Sequence, residues 1–152
     1  MSDFETPRRI LVPWDFSELS RRALQWAHSL SALYESEIVL LHVGPSTTAF
    51  LSPFPDLAGF QMDAWQDARG RREEQAMERL EAALSEAGLL SGLELHYVEA
   101  EPVAAIEEFV REESIGLIVM GTQARDGMAR AMLGSVAESV SRHVKVPVLL
   151  VK

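Results

Sequence analysis

The sequence predicts an α/β fold, a three-layer sandwich with a five-stranded parallel sheet and helices on both faces. Two observations predict it. Five short runs rich in Ile, Leu and Val alternate with stretches whose apolar residues recur at three- and four-residue steps, and such alternation builds a parallel sheet covered on both sides. The run Ile38-Val39-Leu40-Leu41-His42-Val43 is apolar on both faces, as a central parallel strand must be. The 152 residues suffice for one domain over 1–152. A domain of that size buries roughly 68–70% of its unfolded surface, enough for a core without staples.

Taken in order, residues 1–7 read as a loose arm. Arg8 to Val12 enters the first strand, which stops at Pro13. Pro13-Trp14-Asp15-Phe16-Ser17 is a strand-to-helix turn, with Ser17 as N-cap and Glu18 suited to the first turn. Leu19, Ala23, Trp26, Ala27, Leu30 and Leu33 then predict an amphipathic helix with that set as its inner face. The second strand, Ile38–Val43, ends at Gly44-Pro45. Residues 44 to about 60 mix Pro45, Pro53, Pro55 and Gly59 with Phe50, Leu51, Phe54 and Phe60. That is too apolar for a linker, and leaves two readings: a loop lying over the body, or a cover for a site or partner surface. A long helix follows from near Met62 to Ala87, with Gly88 as its C′ residue. Leu93 to Val98 half alternates, which places it at a sheet edge. Glu101-Pro102 opens the third helix with Pro at its first position; Val103, Ile106, Phe109 and Val110 form its inner stripe. Leu117-Ile118-Val119-Met120 is the fourth strand. The fourth helix starts at Ser135, where Ser135-Val-Ala-Glu138 reads as a capping box. Pro147 to Val151 is the last strand.

Composition narrows the function classes. The net charge of −9 argues against a duplex-binding surface, because phosphate neutralisation needs clustered Lys and Arg. With no cysteine, disulfides and thiolate metal sites are excluded. No apolar run approaches the ~18 residues of a membrane span, and Met1-Ser-Asp-Phe-Glu-Thr-Pro lacks the regions of a signal peptide. The expectation is a cytoplasmic protein that binds neither nucleic acid nor membrane. His28, His42, His96 and His143 show no metal-ligand spacing, and no Gly-x-Ser-x-Gly elbow is present. A catalytic role is therefore not predicted.

The informative stretch is Gly121 to Ser135. A strand ends, a small-residue loop follows, and a helix opens at Gly134-Ser135. A helix start offers unpaired N–H donors and a positive dipole end, so this order of parts can bind an anion. It has no Gly-x-Gly-x-x-Gly and no Lys beside Gly134-Ser135, so it is not a Walker-type loop.

The loop does resemble the nucleotide loop of the universal stress protein family, Gly-x2-Gly-x9-Gly-Ser/Thr, with Gly121 at the first position and Gly134-Ser135 at the last two. The resemblance covers nearly the whole chain, through Val12-Pro-Trp-Asp15-Phe-Ser17, Leu40-Leu-His-Val43, Leu117-Ile-Val-Met-Gly-Thr122 and Val146-Pro-Val-Leu-Leu-Val151. It implies strand order 3-2-1-4-5, which sets the first and fourth strands side by side at the switch point of the sheet and brings Asp15 beside Gly121. It implies ATP as ligand, with or without magnesium or manganese. Asp15 would hydrogen-bond the ribose, the Val43 backbone would read the adenine edge, and Gly121 would approach the ribose. Ala124, Gly134, Ser135 and Val136 would offer backbone donors to phosphates. Pro13, Trp14 and Met120 stand in the same motifs beside the site, and Arg125 could supply charge.

Several of these residues have a second reading. Asp15 suits a turn before a helix, Ser135 suits an N-cap, Gly134 suits close packing, and Arg125 suits a solvated loop. Ala124 departs from the motif, which has glycine there. At φ > 0 an alanine costs roughly 1–2 kcal/mol, and a methyl in the path of a ribose or phosphate would leave the chain without its nucleotide. Two functions follow: an ATP-binding stress-response homodimer, or a member without nucleotide acting as a protein-interaction module. The apolar last strand, Val146 to Val151, would lie at an edge and invites antiparallel pairing with a second copy.

Overall fold

The computed structural model describes residues 5–46, 58–122 and 133–152. Nine elements alternate through them: β1 (Arg9–Pro13), α1 (Glu18–Tyr34), β2 (Glu37–Gly44), α2 (Ala58–Glu86), β3 (Leu93–Glu99), α3 (Pro102–Glu112), β4 (Leu117–Gly121), α4 (Ser135–His143) and β5 (Val148–Val151). All strands pair in parallel, in the order β3-β2-β1-β4-β5. The predicted fold class and strand order are both present. β3 lies at an edge, as its half-alternating sequence requires.

Two apolar layers flank the sheet. On one face Ile10, Val12, Ile38, Leu40 and Val119 pack against Ala23, Leu24 and Ala27 of α1 and Leu80 and Leu84 of α2. On the other, Leu11, Val39, Leu41, Ile118 and Met120 pack against Ile106 of α3 and Ala137 and Val140 of α4. Successive strand residues point to opposite faces, so the central strands must be apolar throughout.

The helix ends follow their sequences, with two corrections. Ser17 caps α1 by accepting from the Ser20 N–H at 3.1 Å. Gly88 (φ +69°) closes α2: its N–H bonds the Ser85 carbonyl at 3.0 Å and the Leu89 N–H bonds Leu84 at 2.8 Å, a Schellman ending that suits glycine. The first correction concerns α1. Trp26 and Leu33 are 54% and 70% exposed, while Ser20 and Leu24 are buried with Ala23 and Ala27. Small residues let α1 sit close on the sheet, and the larger Trp26 and Leu33 fall on its flank. The second concerns α4. Its N-cap is Gly134, without a side-chain cap, and Ser135 is the first helical residue, so the capping box does not form. Glu138 instead pairs with Arg142 at 2.8 Å. Residues 47–57, which carry most of the Pro-rich loop, lie outside the described residues.

Candidate functional site

The turn after β1 builds one wall of a cleft. Trp14 is held in line with the sheet, its N–H donating to the Leu41 carbonyl at 2.8 Å. The chain then reverses through Phe16, whose φ is +65°. Asp15 Oδ1 accepts from the Ser17 N–H at 2.9 Å. The turn-capping reading of Asp15 is therefore correct, and it uses one oxygen. Asp15 also lines the cleft, so a ligand role is compatible with the cap.

The opposite wall comes from β4 and α4. The Thr122 N–H donates to Val151 at 3.0 Å, and the Thr122 carbonyl accepts from the Gly134 N–H at 2.6 Å. This pair draws the start of α4 to the end of β4. Gly121 has a packing reason to be glycine: a Cβ there would stand 2.7 Å from Leu19 Cβ of α1. A side chain at 121 would push α1 off the sheet, on the face away from the cleft.

Between these walls lies a cleft of about 310 Å³ at the C-terminal ends of β1, β2 and β4, where open α/β sheets bind ligands. Its volume sits at the lower end of ligand clefts, roughly 300–1,000 Å³. Pro13, Trp14 and Asp15 line it from the turn, Val43 from β2, Met120 and Gly121 from β4, and Gly134 and Val136 from α4. Eight residues expected from sequence are thus brought together. Ser135 is exposed and stands outside this lining, at the rim. Ala124 and Arg125 lie outside the described residues. Sequence reasoning missed Ser17, Ser20, Leu41, Ala137 and, from α3, Pro102 and Ile106. The order 3-2-1-4-5 already carried a signal for the last two: the helix leaving edge strand β3 must cross back over the sheet to reach β4, so its first turn passes the cleft.

Three helix starts border the cleft, and they differ: that of α1 is capped by Ser17, whose side chain accepts from the Ser20 N–H. At α3, Glu101 accepts from the Val103 N–H at 3.1 Å and the Ala104 N–H at 2.8 Å. Its own carboxylate occupies that positive end. At α4, glycine supplies no capping side chain. Among the described residues no side chain takes up the first-turn donors of α4, and donors at a helix start suit an anion. The floor of the cleft is apolar, from Leu41, Val43, Ile106, Met120 and Ala137. An apolar slot, a carboxylate on one side and an open helix start on the other suit a flat ring, a hydroxylated middle and an anionic tail.

Behind the turn, His42 Nδ1 lies 2.8 Å from the Trp14 carbonyl. Tyr97 donates to Glu99 at 3.2 Å, and burial first, then Glu99, pushes its phenol up. No group of three or more His, Asp or Glu among the described residues could hold a metal ion.

A parallel sheet with a cleft at its switch point and a glycine-started helix beside it defines the class: a small doubly wound α/β protein. Residues 6–152 match the model of the universal stress protein family, and the chain belongs to that family. It is 30% identical over 146 residues to universal stress protein MJ0531 of Methanocaldococcus jannaschii, covering 95% of this chain and 82% of that one. The solved structure of MJ0577, from the same organism, superposes with a TM-score of 0.74 at 25% identity, covering 97% of each chain. The structure of the universal stress protein from Archaeoglobus fulgidus in complex with dAMP gives 0.63 at 22% identity, over 97% of this chain and all of that one.

Proposed function

We propose that this protein binds an adenine nucleotide, ATP above all, and acts in a stress response by binding rather than by catalysis. The observation that carries the reading is the contrast among the three helix starts: α1 is capped by Ser17 and α3 by Glu101, whereas α4 opens on the cleft with Gly134 and no side-chain cap. The base would lie on the apolar floor with its edge at the Val43 backbone. Asp15 would accept from a sugar hydroxyl, and the phosphates would rest against the amides that follow Gly134. The dAMP bound by the Archaeoglobus fulgidus relative supports a mononucleotide in a site of this fold. Magnesium or manganese would bind through the phosphates, since such ions keep several waters and need few protein ligands.

The stress role rests on family membership, and a cytoplasmic location is part of the same proposal. Pairing of β5 with β5 of a second copy would complete the molecule as a homodimer, and 1–152 would form its single domain. Isothermal titration with ATP tests the reading: saturable heat at micromolar to millimolar nucleotide is expected. No heat at millimolar ATP would leave the interaction-module reading in its place.

A further inference from the structure

The turn that presents Asp15 is held from the other side of the sheet by Phe16, His42 and Arg79, none of which lines the cleft. Phe16, at φ +65°, adopts a left-handed conformation that is unfavourable for a residue with a Cβ. Such a conformation persists only where neighbours over-determine it. Three groups do so here. The Phe16 ring meets Trp14 edge-on at 6.1 Å and His42 edge-on at 5.0 Å. The Arg79 guanidinium of α2 sits 4.2 Å from the ring centroid. The Trp14 carbonyl can only accept, so His42 Nδ1 carries the proton and donates to it at 2.8 Å. The reversal sends Phe16 into the α1/α2 layer while Asp15 lines the cleft beside α3 and α4.

We infer that Phe16 is a positioning residue for the cleft, clamped by His42 and Arg79 so that the Asp15 carboxylate stays placed for a sugar hydroxyl. The inference rests on the nucleotide reading for its ligand, but the clamp itself is a property of the free protein. It makes α2 part of the site without contact: a change in α2 that moves Arg79 alters how the sugar is held.

The test compares wild type, Arg79→Ala, Arg79→Lys and Phe16→Asn. Arg79 is exposed, so its replacement leaves the core intact. Asparagine tolerates the left-handed conformation and removes the ring. Titration with ATP and with 2′,3′-dideoxy-ATP, which lacks both sugar hydroxyls, isolates the Asp15 contact. Exchange of the Ser17 amide, bonded to Asp15 Oδ1, reports the turn without ligand. Arg79→Ala is expected to lose about threefold in ATP affinity and Phe16→Asn about tenfold, with dideoxy-ATP unchanged. Arg79→Lys should restore the ATP to dideoxy-ATP ratio, and the Ser17 amide should exchange faster in the first two variants. If wild type binds ATP and that ratio does not move in either variant, the inference is overturned. If wild type binds neither nucleotide while Ser17 exchange still rises, the nucleotide reading falls and the clamp stands. Unchanged Ser17 exchange removes the clamp.

Discussion

Asp15 commits one oxygen to the turn, and the ligand role proposed for its carboxylate can be tested. Oδ1 accepts from the Ser17 N–H, and the residue lines the cleft. Asparagine keeps an oxygen for the turn and loses the charge. Asp15→Asn should therefore leave the denaturation midpoint nearly unchanged and weaken ATP binding by about five- to tenfold, because a charge-assisted bond to a hydroxyl becomes a neutral one. Chemical denaturation and calorimetry together read both halves. Gly121→Ala should do the reverse. Its Cβ would meet Leu19 at 2.7 Å, an overpacking worth roughly 1–3 kcal/mol of stability, visible as a lower unfolding midpoint. The sequence marked both residues through their motif, yet it gave Gly121 a ligand reason where the structure gives a packing one. That reason was not legible, since it depends on which helix lies behind the strand. Phe16 and His42 were equally hidden. The one hint was a polar His42 inside an otherwise aliphatic strand.

Helices and strands were more legible than the faces they present. Every element expected from apolar spacing is present, because runs of Ile, Leu and Val and helical repeats act locally. The inner face of α1 was misassigned because three- and four-residue spacing fits adjoining arcs of one helix; only the sheet decides between the Ala23-Ala27 arc and the Trp26-Leu33 flank. The capping box failed for a related reason: Gly134 already terminates the chain's approach through its bond to Thr122. The α3 start offers an element-scale prediction. Glu101→Ala removes two bonds to helix amides and should cost about 1 kcal/mol, the usual value of a lost cap, measured by thermal melting. At the opposite ends of the strands, Arg9 joins Glu37, Glu94 and Glu113, tying β1 to β2, β3 and the end of α3. Hydrogen bonds from His96 first, then Arg9, hold Glu94 below the ordinary carboxylate range, and Glu113 above all raises Arg9. Because folding lowers the Glu94 pKa, its contribution is present above the unfolded carboxylate value and is lost as pH falls through the folded one. Glu94→Gln should therefore flatten the acid side of the stability profile and leave its shape above neutrality alone. Glu94 is half exposed, so solvent keeps the effect small.

For the whole molecule, strand order decides what remains exposed. β5 ends the sheet with one side unpaired, and Leu149 in it is 36% exposed. An edge of this kind pairs with another strand or must be protected. Light scattering should give twice the 16.9 kDa chain mass, and Leu149→Lys should shift the population toward monomer by about tenfold or more in dissociation constant, as a charge placed on a pairing edge does. A sharp 17 kDa species from wild type would remove the dimer. Strand order itself was legible only through the family resemblance, since alternation of elements fixes layers but not neighbours. One last feature bears on how such a molecule can vary. The bond from the Gly134 amide to the Thr122 carbonyl staples together the two positions that residues 123–133 connect in sequence. Lengthening or rewriting a segment tethered at a shared root adds little closure entropy, about 0.6 kcal/mol per doubling. Relatives could therefore exchange that segment like an interchangeable fitting while the scaffold that roots it keeps its shape.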